Sequence, residues 1–426
     1  MCYDCHIRAR PGAPLTDSIS VQAEPNAQSW TLLTFLFALA TFLEVAVLAH
    51  FVLFTPAFLN EIGFSQTEIN VWTGPIASAG FVLGIWFVPF WGTLADRHGR
   101  KPLILRSYYV EIVAMGIAAV SQNVWLFLVS RALTGFALGN TGLMYASLTE
   151  AAPRRRVALA LGLVNGSGPL GSLVGALAGG WIVSQFGVHW LFGIDAIVAA
   201  LIAVILTAAY HEPFVAKSTA PMLGMLESAL RTVVESPVAV TIFVLSFVYN
   251  AAYFFSYTYL PVRIGEVVGD KAAPNAIGIT QGIAGVTTLV GSGVLGGLAD
   301  RVGHRRMLGA LMLCIVILWL PLYAATTLGS IALFWAVFSA ISPSVSSLMF
   351  AILSLNVPPD KRGTIFSMIY LPMNVAFVVA PFSASLVASN FQVRDVFLVS
   401  GAISLFALLI FVVNIGRTQE KRNILA

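Results

Sequence analysis

"GTLADRHGRKPLILR", Gly92 to Arg106, sets six charge-capable residues between two long apolar runs, in a chain that is only 10% charged. A related string, "GGLADRVGHRRMLG", Gly296 to Gly309, follows, with Asp300 lying 204 residues beyond Asp96. One such turn could be an ordinary basic loop; two imply a duplicated unit, and their surroundings decide the fold. The chain has 426 residues and is 58% hydrophobic, with a mean hydropathy of +0.87. Soluble domains carry roughly 25% charged residues. So few charges cannot cover a water-facing surface, and lipid must be the solvent for most of the protein.

A helix crossing the hydrocarbon core needs about 20 apolar residues. Apolar runs fall near 30–58, 71–95, 102–121, 124–149, 156–184 and 189–210, and again near 238–262, 275–299, 306–326, 329–355, 363–388 and 394–416. The expected architecture is an all-α membrane protein of twelve spans. A six-helix bundle at 29–210 is joined by a linker at 211–237 to a second at 238–416. Tails at 1–28 and 417–426 complete the chain. Of the 23 Lys and Arg, nineteen lie in the tails, the linker and the loops after even-numbered spans. Only Arg263, Lys271 and Arg394 lie in the opposite loops, and Arg131 is inside the fourth span. The positive-inside rule then places both termini and the linker in the cytoplasm of a cell membrane. The basic charge is thus a topology signal, and nucleic acid is not an expected partner: no aromatic residues interleave the basic loops.

Both charged strings sit between the second and third spans of their half. "RRRVALALG" at Arg154 and "DKRGTIFSM" at Asp360 likewise both open a fifth span. Two related six-helix units imply a parallel repeat with a cavity between them near mid-membrane. Over nearly the whole chain after the tail, the sequence resembles the major facilitator superfamily. The loop signature G-x-L-A-D-R-x-G-R-K is matched at Gly92, Leu94, Ala95, Asp96, Arg97, Gly99, Arg100 and Lys101; the second copy keeps Asp300 and Arg301 and departs at His304. R-x-x-x-G is matched at Arg131 and Gly135, with Gly139 following. "GLVNGSGPLGSLVGALAGG" resembles the fifth-span motif of the drug:proton antiporter branch at Gly162, Gly166, Gly168, Pro169, Gly171 and Gly175.

The resemblance implies alternating access between two bundles. It implies that Asp96 and its basic neighbours latch the cytoplasmic side and favour the outward-open state, and that Arg131 takes part in proton coupling. Independently, an acid at a helix end can meet the positive N-terminus of a helix from the other half, while a plain topology anchor would also account for the charges. A guanidinium stays charged, so Arg131 would act on a nearby acid that the sequence does not identify. Gly166, Gly168 and Pro169 read as a gate or seal. Small residues at i, i+4 such as Gly171, Gly175 and Gly179 let helices approach closely, and Pro169 removes a backbone hydrogen bond.

Ionisable residues inside spans are costly to insert, by roughly 2.5–3.5 kcal/mol at the membrane centre. Glu44, midway through the first span, is therefore expected to face the cavity and exchange a proton or meet a cationic substrate; a structural hydrogen bond to another helix is the alternative. Glu111 and Asp195 are further proton-coupling candidates, each equally suited to a structural role, and His50 could assist. Glu150 is expected to pair with Arg154 to Arg156. In the seventh span Tyr249, Tyr253 and Tyr257 share one face at i, i+4 and i+8. Tyr249, Asn250 and Tyr253 are expected to line the substrate cavity with Glu44, and Tyr257 and Tyr259 to lie nearer an aromatic belt. Such a wall suits amphipathic, aromatic or cationic molecules. The second half carries no acid within its spans.

These features point to proton-driven export of small hydrophobic or amphipathic molecules by a monomer, with protons and membrane lipid as its other partners. A sugar or metabolite carrier is the alternative, and a receptor or scaffold on the same fold a more distant one. No cofactor, metal or nucleotide is expected. "GSGPLG" and "GSGVLG" fit G-x-G-x-x-G, but no strand precedes either. "CYDCH" at Cys2 to His6 matches a haem-attachment string, but the polar stretch 1–28 is expected to be a disordered cytoplasmic tail with no cleavable export signal. No nucleophile–base pair or Walker string suggests an enzyme.

Overall fold

The computed structural model describes residues 29–212, 230–357, 365, 368 and 370–424. Within these, the side chains of residues 88–90, 92, 93, 96 and 415–424 are not described. The N-terminal tail with Cys2 and Cys5, most of the linker, and the surroundings of Gly92 and of the Asp96 side chain lie outside the described residues.

Every described element is helical. The first group comprises α1 (Trp30–Glu61), α2 (Gln66–His98), α3 (Arg100–Val120), α4 (Val124–Leu133), α5 (Asn140–Ala151), α6 (Val157–Phe186) and α7 (Val188–Ala209). The second comprises α8 (Pro237–Tyr257), α9 (Leu260–Val268), α10 (Ala273–Val302), α11 (His304–Ala324), α12 (Leu328–Asn356), α13 (Leu371–Asn390) and α14 (Asp395–Ile424). Local chemistry sets several boundaries. Ser65 and Glu68 form a capping box at the start of α2, and Thr327 and Ser330 form another at α12. The turn between α2 and α3 needs Gly99, whose φ of +91° suits glycine alone among ordinary residues.

Among the described residues, eleven continuous stretches are long and apolar enough to cross a membrane. The twelfth expected span, 124–149, is not one helix. α4 stops at Leu133, a 3-10 turn covers Thr134–Ala137, and Gly139 at φ +94° redirects the chain into α5. The break lets backbone meet backbone: a Cβ on Gly135 would lie 2.8 Å from the Gly80 carbonyl oxygen and 2.9 Å from the Gly84 nitrogen. Glycines on two helices thus replace side-chain packing with close approach.

Within the first group α1 packs on α6 and α3 on α7; within the second α10 packs on α12 and α14 on both α8 and α11. The stripe on α6 works as its spacing suggests. Gly171 lies against the Phe42 carbonyl, Gly175 against Ala46, and Gly179 against His50 and Phe54. α1 therefore offers Phe42, Ala46, His50 and Phe54 at four-residue steps to glycines at the same steps.

Two antiparallel helix pairs join the halves. In α6 and α10, Gly285 meets Leu173, Gly282 meets Leu177, and Gly180 and Gly278 pack backbone to backbone. In α2 and α13, Asn70 Nδ2 donates to the Ala388 carbonyl at 3.2 Å, Ser78 Oγ donates to the Val378 carbonyl at 2.7 Å, and Gly74 lies on Pro381. These contacts occupy the parts of the four helices farthest from Arg100, Arg154 and Arg301, so the basic end and the far end of the molecule differ. Toward the basic end, a Cβ on Gly162, Gly166, Gly293, Gly296 or Gly297 would meet nothing within 4 Å.

At the basic end, the signature turn is tied to its own half. Arg100 makes a bidentate pair with Glu150, both bonds 2.8 Å, where the sequence suggested Arg154 to Arg156 for that acid. Lys101 Nζ donates to the Thr207 carbonyl at 2.9 Å. Glu212 accepts from the backbone nitrogens of Arg100 and Lys101, both at 2.7 Å, and so caps α3 from the start of the linker. Losing a side-chain cap costs about 1 kcal/mol. Glu212→Ala should therefore lower the Tm of detergent-purified protein measurably, and Glu212→Gln, which keeps an acceptor, should lower it less.

Candidate functional site

Glu44 is 7% exposed and turns into the first half, between α3 and α5. Asn140 Nδ2 donates to its Oε2 at 3.0 Å, and the Tyr108 hydroxyl donates to the same atom at 3.4 Å. Asn140 also donates to the Tyr108 oxygen at 3.2 Å, which closes a triangle among α1, α3 and α5. Asn140 reaches this position because it is the first residue after the Gly139 turn, so the broken fourth span supplies the donor.

Arg106, two residues before Tyr108 on α3, stands with its guanidinium 3.5 Å from the centre of the Trp91 ring and donates to the Leu138 carbonyl at 3.3 Å. Its positive charge acts on Glu44. The charge count places Arg106 among the loop cations; its position past the start of an apolar run is the signal in the sequence that it belongs to the bundle interior.

Glu111 follows Tyr108 by three residues and is 1% exposed. Both of its carboxylate oxygens are buried with no hydrogen-bond partner. An unpaired buried carboxylate is expensive, and the charges of both Glu44 and Asp195 act on it. Asp195, 3% exposed, is bound by the His50 ring at 2.9 and 3.1 Å. Thus Glu44, Glu111, Asp195 and His50 form a row through the interior of the first half.

Arg131 is 3% exposed and lies two turns into α4. It donates to Thr134 Oγ1 at 3.2 Å and to the Ala77 carbonyl at 3.4 Å. Its guanidinium lies over Phe51 and Phe81, 5.2 and 5.4 Å from the ring centres. Among the described residues no carboxylate forms an ion pair with it. Gly80 makes the space: its Cβ would lie 2.7 Å from the Arg131 guanidinium carbon.

In the second half, the Tyr249 hydroxyl is 2.7 Å from Ser342 Oγ, which ties α8 to α12. Asn250 Nδ2 donates to the Ser246 carbonyl at 2.8 Å, and Asn250 is half-buried. Tyr253 belongs to a nearly parallel stack with Tyr257, Trp335 and Phe338, at centroid distances of 5.4, 6.2 and 5.9 Å. Phe254 next to it meets Phe377, which in turn meets Phe81 of the first half. Aromatic side chains therefore bridge the halves where they close. Tyr259, expected nearer a belt, is fully buried and donates to the Asn70 carbonyl at 2.6 Å across that interface.

The signature residues are scattered by comparison. Arg97, Asp300 and Arg301 are exposed at the basic end, with Asp300 3.6 Å from His304. On α6, Gly166 faces open space, Gly168 touches Val45, and the helix runs unbroken through Pro169. Its close contacts with the second half come later, from Leu173 to Gly180. A separate cavity of about 380 Å³ at the far end is bordered by Asn60, Glu61, Gln66, Asp270 and Lys271.

The fold is shared with solved transporters of very different sequence. The nucleoside transporter NupG superimposes with a TM-score of 0.72 at 15% identity, over 91% of this chain and 98% of that one. A bacterial homolog to the human lysosomal transporter Spinster gives 0.69 at 15% identity, over 91% and 96%. Sequence relatives include Multidrug resistance protein MdtG of Escherichia fergusonii, 29% identical over 409 residues, 94% of this chain and 99% of that protein. MdtG of Escherichia coli K12 is 30% identical over 375 residues, 86% and 90%. The model of the Major Facilitator Superfamily matches residues 31–271 and 266–425. With eleven membrane-length stretches and a broken twelfth among the described residues, and family matches along nearly its whole length, the chain is an integral membrane protein that belongs to the major facilitator superfamily of transporters.

Proposed function

We propose that this protein exports small hydrophobic or amphipathic molecules across the cell membrane in exchange for protons. The observation that carries this reading is the Glu44 cluster: a carboxylate held by Asn140 and Tyr108 within the helix that borders both halves. A group that gains or loses a proton there alters bonds to α3 and α5 at once. Glu111 and Asp195 extend the row, and Arg131 supplies a fixed positive charge in the same half. The residues at the divide between the halves are largely aromatic, with Tyr253 and Asn250 half-buried. Tyr249 supports that wall from behind. Relatives named as multidrug resistance proteins fit such a substrate range.

In this reading the basic end is cytoplasmic, by the same charge bias that the loops display. The chain then stands with its far side closed and its cytoplasmic side parted, and the units 29–210 and 238–416 rock as a monomer, the α2–α13 and α6–α10 contacts parting when the far side opens. Gly92, Asp96, Arg97, Gly99, Arg100 and Lys101, with Asp300 and Arg301, guard the cytoplasmic side and close in the opposite state. Gly166, Gly168 and Pro169 lie on the part of α6 that swings.

A thermal-shift panel tests the substrate class. Tetraphenylphosphonium, chloramphenicol, uridine and lactose should be compared at two pH values, since ligands that bind only the folded state raise Tm by mass action. Stabilisation by the first two, and a pH dependence of it, are expected. Stabilisation by lactose or uridine alone would replace export with metabolite carriage.

A further inference from the structure

His50 and Asp195 form the most completely enclosed ion pair among the described residues, with side chains 6% and 4% exposed. The imidazole has a second bond: Nε2 lies 2.9 Å from the Gly175 carbonyl oxygen. A carbonyl oxygen only accepts, so Nε2 carries a hydrogen. The remaining titratable proton lies between Nδ1 and the two Asp195 oxygens. While it is present the pair is bonded and neutral as a unit. Once it leaves, the Nδ1 lone pair faces a carboxylate, and the two repel.

Three helices meet at this pair. His50 is on α1, Asp195 on α7, and Gly175 on α6. A Cβ on Gly179 would lie 2.8 Å from His50 Nε2, so α6 is shaped to the ring. The next residues of α6 touch the other half: a Cβ on Gly278 of α10 would lie 2.6 Å from the Ala176 carbonyl, and one on Gly180 lies 2.6 Å from the Pro274 carbonyl. The imidazole thus grips the segment of α6 that closes the far end. Of the charged and titratable groups on the neighbouring helices, Glu111 on α3 feels the charges of Asp195 and of Glu44 on α1, Tyr108 on α3 bonds Glu44, and Arg131 on α4 lies over Phe51, next to His50 in the chain; α6 contributes only backbone. At the far end, Glu61 is held by His189 and Arg263 by Glu266.

We propose that the His50–Asp195 pair is a second proton-carrying site, distinct from the Glu44 cluster, whose proton holds α6 against α10 and keeps the far end closed. The proposal rests on the proton-coupled reading above. Release is a simple transfer: the proton between Nδ1 and Asp195 leaves to water on the basic side, in the direction of Glu111 and Glu44, whose charges act along the same row. No bond other than those to hydrogen changes. The freed pair separates, Gly175 is released, and α6 can leave α10. A proton arriving from the far side re-forms the grip, which is the order that exchange for an outgoing substrate requires.

The test needs no substrate. Spin labels at Gln185→Cys and Lys271→Cys, in a chain with its native cysteines replaced, report the far-end distance by double electron–electron resonance. From about pH 5 to about pH 9, a range centred on imidazole titration, the wild-type background should pass from a short to a longer distance. The ratio of the two populations should change by roughly tenfold or more, the scale of one charged hydrogen bond. Asp195→Asn and His50→Gln should each abolish the pH response, while Glu212→Gln at the basic end keeps it. Gly179→Ala retains both groups but displaces the ring, and should favour the longer distance at every pH; it carries the test if either replacement does not fold. An unchanged pH response in Asp195→Asn or His50→Gln overturns the proposal, as does its absence in the wild-type background. A response lost in Glu44→Gln but intact in Asp195→Asn assigns it to the other cluster and leaves the exporter reading standing. Failure of the wild-type protein to exchange any panel compound for protons, with the distance response intact, would sink the exporter reading instead.

Discussion

Replacing Gly74 with alanine should drive the protein out of the arrangement seen here without unfolding it. The added Cβ would fall on the Pro381 carbonyl and within 2.9 Å of the Ser385 Cβ, both on the other half. Overpacking of this kind costs about 1–3 kcal/mol. Only the state with the far end closed bears that cost, so the equilibrium between open and closed far ends should move by roughly 5–150-fold. A lengthened distance between labels at Gln185 and Lys271 would report it, with Tm nearly unchanged. The same substitution at Gly171 or Gly291 has a different expected outcome. There the Cβ would fall on Phe42 or Ala340, each within the same half. Every conformation then bears the cost, so yield and Tm should fall while the distance stays the same. If Gly74→Ala behaves like Gly171→Ala, the α2–α13 contact is not a moving interface.

Glu44→Gln should leave the fold and substrate binding in place and remove proton drive. The amide is nearly the same size and still offers an oxygen to Asn140 and Tyr108, so the triangle of α1, α3 and α5 survives. What it loses is the charge. Hydrogen bonds to charged groups are worth about 1.5–3 kcal/mol, so the bias between states should fall by roughly 10–100-fold. Uphill transport should collapse, while exchange of labelled for unlabelled compound, which needs no net proton movement, continues. Glu44→Ala should behave worse, since Asn140 and Tyr108 would lose their shared acceptor in a buried site. Normal uphill transport by Glu44→Gln with an intact response to a pH gradient would remove Glu44 from the coupling path.

The spans and the repeat were legible in the sequence because hydropathy and charge act residue by residue. Lipid selects apolar runs, and the cytoplasmic leaflet retains Lys and Arg, wherever they fall. The small-residue stripe at Gly171, Gly175 and Gly179 was legible for a similar reason: four-residue spacing fixes a face, and a face without side chains must meet another helix. The break in the fourth span was less so. Gly135 and Gly139 read as part of a signature, and only the backbone of α2 at Gly80 and Gly84 shows why the helix stops there.

Partners across the bundle could not be read at all. Glu44 finds Tyr108 and Asn140, which are 64 and 96 positions away, and His50 finds Asp195 at a separation of 145. Periodicity says which face a residue occupies but not which helix will cover it. Tyr249 and Tyr253 share a stripe and both meet α12, yet the first bonds to Ser342 while the second stacks on Trp335, a choice the stripe does not reveal. Arg131 is the reverse case. A buried cation implies an acid, but Phe51, Phe81, the Thr134 hydroxyl and the Ala77 carbonyl surround it instead.

Proton exchange by the wild-type protein is the most direct test of the reading as a whole. Purified protein in sealed vesicles with an internal pH dye should be given whichever panel compound stabilises it most. The expected result is that an imposed proton gradient drives the compound uphill, and that adding the compound without a gradient moves protons in the opposite direction to it. Compound movement with no accompanying proton movement, or movement of both in the same direction, would contradict proton-coupled export.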